Sequence, residues 1–451
     1  MLPKKIVSFS ARLLILQSLI TKLNTAAISQ SFAERLWPGF AWFICMYFVT
    51  ILVLNRFFYT LFALLALGVA LVAVYSYRPR WDAELRALVW LLLTNLLLVL
   101  PNLILARDGL LSLENPVRML LMLPMILAVM RFGFKARFIN IGLAVGMLAA
   151  ALVAGWQFHM LGLDRTGIYY NPIHFGSVAM SAFSVLLAAC LVIRDRLALL
   201  YMAGLLAALY CVILSGSRGT LLAIVPITIF LLWWGWRRGV WKEKSSWRKI
   251  LLFPIIFLFL GTVLVGTGNF LDRIQTAVNQ SSDYFDGSDK IDGSDKRSGV
   301  SIRMELWRGA LMAGREHPLL GIGYRDRENY LNQKILNGEL KPYVANMHHT
   351  HNDYMYALQS RGVPGLILQI LIYAVLISIF IRGLAGVTDE KLFAALAGIL
   401  VTISYATYSL TAEPMFTGMT LIFFIVINSL CIGIIKFTKN SISADNTRQS
   451  G

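Results

Sequence analysis

The chain has 451 residues, of which 57% are hydrophobic and only 14% charged, and it carries a formal net charge of +17. Soluble proteins carry about 25% charged residues, so this composition takes the membrane as its solvent and excludes an ordinary soluble enzyme. Where the positive charge lies then decides whether nucleic acid is a partner.

The first segment, residues 1–37, opens with Lys4 and Lys5 followed by Leu13-Leu14-Ile15-Leu16. It has the ingredients of a signal peptide, but the apolar run is short, and an interfacial amphipathic helix is the expected form. Runs long enough to cross a hydrocarbon core, about 20 mostly apolar residues each, then begin near Pro38, Phe57, Leu88, Val117, Phe138, Gly176, Leu197, Thr220 and Ile250. These nine spans fill residues 38–269. A long polar interval follows at 270–363, three more spans begin near Pro364, Leu392 and Thr417 within 364–436, and residues 437–451 form a tail. The expected fold is an all-α polytopic membrane protein of about twelve helices with a helical loop domain.

With the amino terminus placed in the cytoplasm, inner segments hold 24 Lys and Arg against 5 in the short outer connections, and the long loop holds the other 12. That is a positive-inside bias. The basic balance is therefore a topology signal and nucleic acid is not an expected partner. Both termini are expected inside, and all six histidines fall on the outer face. The four cysteines lie singly in apolar runs, without the paired spacing of a disulfide framework or a zinc site.

The outer connections carry the chemistry-bearing residues. Tyr169-Tyr170-Asn171-Pro172-Ile173-His174 forms a polar, aromatic turn ahead of the sixth span. Asn171 and His174 could line a pocket there, and an interfacial aromatic belt explains the tyrosines equally well. Ser215-Gly216-Ser217-Arg218-Gly219 opens the eighth span. A helix start offers unpaired N–H groups, glycines admit a ligand to the backbone, and Arg218 adds charge, so a phosphate suits the turn. The competing reading is a snorkelling interfacial arginine.

Within the long loop, Asp286-Gly287-Ser288-Asp289-Lys290 is repeated at Asp292 to Lys296. It lacks the closing Glu of a calcium loop and reads as a polar linker. Ile302 to Met312 has a helical pattern that puts Arg303 and Trp307 four apart on one face, the arginine suited to phosphate oxygens and the ring to a sugar or prenyl chain. A surface salt bridge of Arg303 with Glu305 or Asp326 is the bland alternative. Pro318 to Tyr324 is a Gly-rich turn, and Glu328 to Ile335 a second short helix.

The loop ends in Met347-His348-His349-Thr350-His351-Asn352-Asp353-Tyr354. Asn352 can cap a helix running through Tyr354 and Leu358, whose positive end would keep the His351 imidazole neutral and able to accept a proton. A general base needs that state. A metal site built from His348, His349 and His351, or a purely structural histidine, are the alternatives. No second cluster with metal-ligand spacing appears, and there is no P-loop or Rossmann pattern.

Taken together, Leu214 to Gly219, the Arg303-to-Trp307 stretch running into Pro318 to Gly323, and His351 to Tyr354 followed by Gly362-Val363-Pro364-Gly365 resemble the O-antigen ligase and O-antigen polymerase superfamily of bacterial inner membranes. The length and single late loop look most like a ligase. That resemblance implies a glycosyltransferase of the membrane GT-C type, using neither a metal nor any other cofactor. It would move a glycan from undecaprenyl pyrophosphate onto the lipid A core at the periplasmic face, among membrane lipids. It gives Arg218 and Arg303 the pyrophosphate and His351 the acceptor hydroxyl, with inversion, and it leaves Ser215, Ser217, Trp307, Asn171, His174, His349, Asn352 and Tyr354 as candidates for the substrate pocket. An O-antigen polymerase, a protein O-oligosaccharyltransferase and, in another class, a polysaccharide or lipid exporter are the competing functions.

Overall fold

A computed structural model describes residues 25–75, 77, 79, 81–105, 108–238, 299–345, 347, 349–386 and 388–438. The amino-terminal amphipathic segment before residue 25, the ninth predicted span, the duplicated Asp-Gly-Ser-Asp-Lys segment, His348 and the tail from 439 lie outside the described residues.

Among the described residues the secondary structure is entirely helical. In chain order the helices are α1 (Thr25–Thr50), α2 (Arg56–Val74), α3 (Ala83–Leu97), α4 (Leu100–Ile104), α5 (Glu114–Leu120), α6 (Met122–Phe132), α7 (Arg137–His159), α8 (Pro172–Val192), α9 (Ala198–Ser215), α10 (Arg218–Leu221), α11 (Ile224–Arg237), α12 (Gly299–Glu316), α13 (Arg327–Leu336), α14 (Asp353–Gly383), α15 (Asp389–Tyr408) and α16 (Gly418–Lys436). Ten described segments are long and apolar enough to cross a membrane, and they match the second to eighth and tenth to twelfth predicted spans. This is a multi-pass membrane protein. The first predicted span falls in α1, which is not one of those ten: its amino-terminal part is polar, and the apolar stretch that follows is short for a crossing.

The bundle is arranged around α8, in which every residue from Phe175 to Val192 is buried. A helix apolar all round must be enclosed by other helices, and α9 and α15 pack against it, with α7 behind α9. A second group joins α1, α2, α6 and α16. At one end, Lys436 bonds Asp82 and Glu84, and Arg382 pairs with Glu84 at 2.8 Å, tying α3, α14 and α16 together.

The loop domain caps the other end. α12 presents Leu306 and Gly309 to Leu331 of α13 and to Leu340. The turn after α12 then docks on α14 through backbone hydrogen bonds: Ile322 N–H to Gln359 O at 2.9 Å, Gly323 N–H to Ser360 O at 3.2 Å and Val363 N–H to Pro318 O at 2.7 Å. Docking this close needs a break in the helix. Gly362 supplies it with φ of 66°, a left-handed conformation that a side chain resists, and any Cβ there would run into the Pro318 carbonyl. The helix capped by Asn352 and the tenth predicted span are therefore joined in one element, α14, which begins at Asp353 and continues through the kink. Asn102 joins the same junction, its side-chain amide donating to Leu320 O at 2.8 Å and Ser360 O at 3.1 Å.

Candidate active site

At the loop end, α9 stops at Ser215 because Gly216 turns left-handed at φ 58°. Ser215 Oγ donates to Val212 O at 2.7 Å and accepts from Ser217 N–H at 3.2 Å, which shapes the turn that delivers Arg218 at the start of α10. Gly219 has no room for a side chain, which would run into Thr411. The turn thus packs flat against the connection after α15. A small cavity of about 130 Å³ opens there, lined by Arg165, Ser217, Arg218, Thr220, Arg303 and Thr411 among others.

Arg218 and Arg303, far apart in sequence, meet in this cavity, and Arg165 joins them, its Nε donating to Ser215 O at 2.9 Å. Burial pushes the Arg303 pKa down and the charge of Arg218 pushes it further the same way. Cations crowded in a partly desolvated space repel, and an anion between them relieves the repulsion through charge-assisted hydrogen bonds. Glu305, one partner in the competing salt-bridge reading of Arg303, accepts from Lys341 N–H at 2.8 Å and lies 3.7 Å from Arg308.

His351 is not in the cavity lining but is close enough to Arg303 for that charge to act on it. Its backbone is left-handed, φ 53°, a conformation that costs a non-glycine residue about 1–2 kcal/mol. Glu413, 6% exposed, holds it there. One carboxylate oxygen accepts from the amides of Thr350 and His351, the latter at 3.0 Å, and from the Thr350 hydroxyl, while the other accepts from His349 Nδ1 at 2.9 Å. Trp307 Nε1 donates to Thr350 O at 3.0 Å, so the loop helix braces the same turn. Asn352 caps α14 as expected, accepting from Tyr354 N–H at 2.9 Å and Met355 N–H at 3.1 Å.

The electrostatics separate the two described histidines. Burial lowers the His351 pKa, and the charges of Arg303, His349 and Arg327 lower it further against the pull of Glu413. These effects favour the neutral imidazole, the form that accepts a proton. His349 goes the other way: the hydrogen bond to Glu413 raises its pKa, with burial a smaller opposing effect. Burial alone would raise the Glu413 pKa, but the hydrogen bonds from His349 and Thr350 and the charges of His349 and Arg327 bring it below the ordinary value.

His349 also faces a larger cavity of about 390 Å³ that Glu413, Tyr324, Tyr356 and Arg361 line with it. Arg327 is buried close by, 6% exposed, with none of its three guanidinium nitrogens hydrogen-bonded. Its pKa is lowered by burial.

Several expected pocket residues have other duties. Asn171 caps α8, accepting from Ile173 N–H at 2.9 Å. The Tyr354 hydroxyl donates to Ala406 O at 2.9 Å, inside the helix packing. Trp307 is committed to the Thr350 carbonyl. His174 lies nearer the centre, its Nε2 3.4 Å from Thr417 Oγ1 and within reach of the charges on His349, Glu413 and His351. Among the described residues, no three His, Cys, Asp or Glu side chains gather as metal ligands would, and the His349 and His351 rings are 6.3 Å apart. Sequence reasoning passed over Glu413, Arg165 and Arg327. The one available signal was that Glu413 is the sole carboxylate in the connection between the last two spans.

Residues 203–370 match the family described as O-antigen ligase. That match supports membership of the O-antigen ligase superfamily. The matched stretch holds Arg218, Arg303 and His351, whereas Arg165 and Glu413 lie outside it and enter the site only through folding. A Haemophilus influenzae protein described as uncharacterized is 24% identical over 376 residues, which are 81% of this chain and 90% of that protein. Members of that family are glycosyltransferase-like enzymes, and this protein places a cavity lined by three arginines and a left-handed histidine at the loop end of its membrane bundle.

Proposed function

We propose that this protein is an O-antigen ligase of the GT-C type, which transfers O-antigen polysaccharide from undecaprenyl pyrophosphate to the lipid A core oligosaccharide at the periplasmic face of the inner membrane. Arg218 and Arg303, with Arg165, hold the donor pyrophosphate. His351 takes the proton from the acceptor hydroxyl as its oxygen attacks the anomeric carbon from the face opposite the leaving group, so configuration inverts. The anomeric carbon–oxygen bond breaks toward undecaprenyl pyrophosphate, and the arginines stabilise the charge gathering on its phosphate oxygens. No metal enters this scheme, because the guanidinium groups supply the electrostatic stabilisation.

The observation that carries the reading is the meeting of Arg218 and Arg303 in one small cavity beside His351. The test is glycan transfer by purified protein, with a lipid-linked pyrophosphate donor, core lipid as acceptor and excess EDTA. Wild type should transfer, His351→Ala should lose transfer while staying folded, and Arg218→Lys should need more donor, because the charge stays and the fork is lost. Transfer abolished by EDTA would sink the metal-free scheme. Transfer only to a second lipid-linked glycan, or to a Ser or Thr side chain, would make the protein a polymerase or a protein oligosaccharyltransferase.

A further inference from the structure

A trough of about 820 Å³ runs between α2, α6 and α16, lined by Phe57, Leu64, Leu67, Met125, Ile422 and Val426 among others. Its lining carries only two charged side chains, Arg56 and Arg118, with no carboxylate. Those two arginines, with Thr417 and Gly418, also line the 390 Å³ cavity that His349 and Glu413 face. Trough and cavity therefore join at an arginine rim. The upper cavity has a different character, with Asp108, Glu114 and Glu413 set against Arg361 and the rim, and Asn95, Asn115 and Ser112 between them. Balanced charge and amide groups suit the hydroxyls of a sugar, and a greasy trough suits a hydrocarbon chain.

We propose that trough, rim and upper cavity form one site for a phosphorylated glycolipid with several acyl chains: chains in the trough, phosphate on Arg56 and Arg118, and sugar in the upper cavity with a hydroxyl presented toward His349 and His351. This rests on the ligase reading and says where its acceptor sits. Depth favours acyl chains over a long polyprenyl tail. From Arg56 to Leu67 the helix rises about 16 Å at ~1.5 Å per residue, which is about half of a ~30 Å hydrocarbon core and so the reach of one leaflet. The arginine cavity beside His351 is separate from this site and shares no lining residue with trough or upper cavity. Donor anion and acceptor thus occupy separate sites. Arg118 is tied to Glu114 and Asn115, whereas Arg56 is exposed and enters no ion pair among the described residues, which makes it the clean residue to change.

The test is lipid retention by native mass spectrometry of the full-length protein, with three probes: bisphosphorylated hexa-acyl lipid A, its dephosphorylated form and undecaprenyl phosphate. Arg56→Ala should weaken retention of the bisphosphorylated probe by about tenfold, the loss of one charge-assisted contact, and leave the dephosphorylated probe unchanged. Ala63→Trp, which fills the trough from its wall, should weaken both lipid A probes and spare undecaprenyl phosphate. An unchanged melting temperature for each variant shows that it is folded. Unchanged lipid A retention in both folded variants, or loss of undecaprenyl phosphate instead, overturns the proposal. Transfer assays separate it from the ligase reading. Wild-type transfer with an unaltered acceptor KM in both variants overturns the trough alone. Absence of wild-type transfer alongside the expected lipid losses overturns the ligase reading and supports the lipid site.

Discussion

Replacing Glu413 should disable the site without touching either arginine. Four hydrogen bonds end on its carboxylate, from the amides of Thr350 and His351, the Thr350 hydroxyl and His349 Nδ1. In Glu413→Ala the two amides lose their acceptor, and each buried unsatisfied donor costs about 1–3 kcal/mol. The left-handed turn at His351, itself about 1–2 kcal/mol uphill, then loses its carboxylate anchor, keeps only the brace at Thr350 and relaxes. A loss of about 3 kcal/mol in positioning the base corresponds to a roughly hundredfold fall in kcat, with donor KM little changed because Arg218 and Arg303 keep their places. Glu413→Gln keeps one acceptor oxygen and should lose less. It also removes the charge that raises the His351 pKa while leaving the effects that lower it, so the acid limb of the kcat profile should move to lower pH. Steady-state transfer by purified protein between about pH 5 and pH 8, the range in which histidine titrates, measures both. A kcat within twofold of wild type for Glu413→Ala, or an acid limb that moves upward in Glu413→Gln, refutes the reasoning.

Three further outcomes follow from the same geometry. The His349–Glu413 pair should stabilise the fold most between the ordinary pKa values of 4.5 for Glu and 6.5 for His. Its contribution is lost as pH rises through the raised His349 value and as it falls through the depressed Glu413 value. The melting-temperature gap between wild type and His349→Gln should therefore narrow above pH 6.5, and a gap that widens with pH would contradict the assignment. Gly362→Ala puts a side chain on a left-handed residue and against the Pro318 carbonyl, so it should lower the melting temperature by at least the equivalent of ~1 kcal/mol; an unshifted melting curve would show that the kink carries no strain. Trp307→Phe keeps an aromatic ring but loses the bond to Thr350 O, worth about 1 kcal/mol. It should reduce kcat more than donor KM, and the opposite split would move Trp307 to donor binding.

Ten of the spans were legible because each is a long local run, and helices in a bilayer must satisfy their own backbone. Asn352 was legible for the same reason, since a cap acts on residues two and three places ahead. Arg218 and Arg303 could be named singly from their neighbours, but their meeting could not, because it depends on how α12 seats over the turn after α9. Glu413 was hidden entirely: a lone carboxylate beside a proline has no local pattern, and its partners lie 62 to 64 residues earlier in the chain. Asn171 and Tyr354 show the opposite difficulty. Polar and aromatic residues at a helix start look alike from sequence whether they face a cavity, cap the helix or bond a neighbouring one, and only packing tells that Asn171 is a cap and that Tyr354 reaches Ala406.

The position of Glu413 also sets an order of events during synthesis. His351 and both arginines emerge from the ribosome first, and the carboxylate that fixes the histidine turn follows only after α14 and α15 have been made. Until the connection before α16 is threaded to the loop end, the amides of Thr350 and His351 have no acceptor there. A half-inserted chain would thus carry the arginines without an organised base, and without the Thr411 wall of the cavity they line. Competence arrives with the last hairpin, so the chain's own sequence order guards against premature chemistry by an unfinished protein.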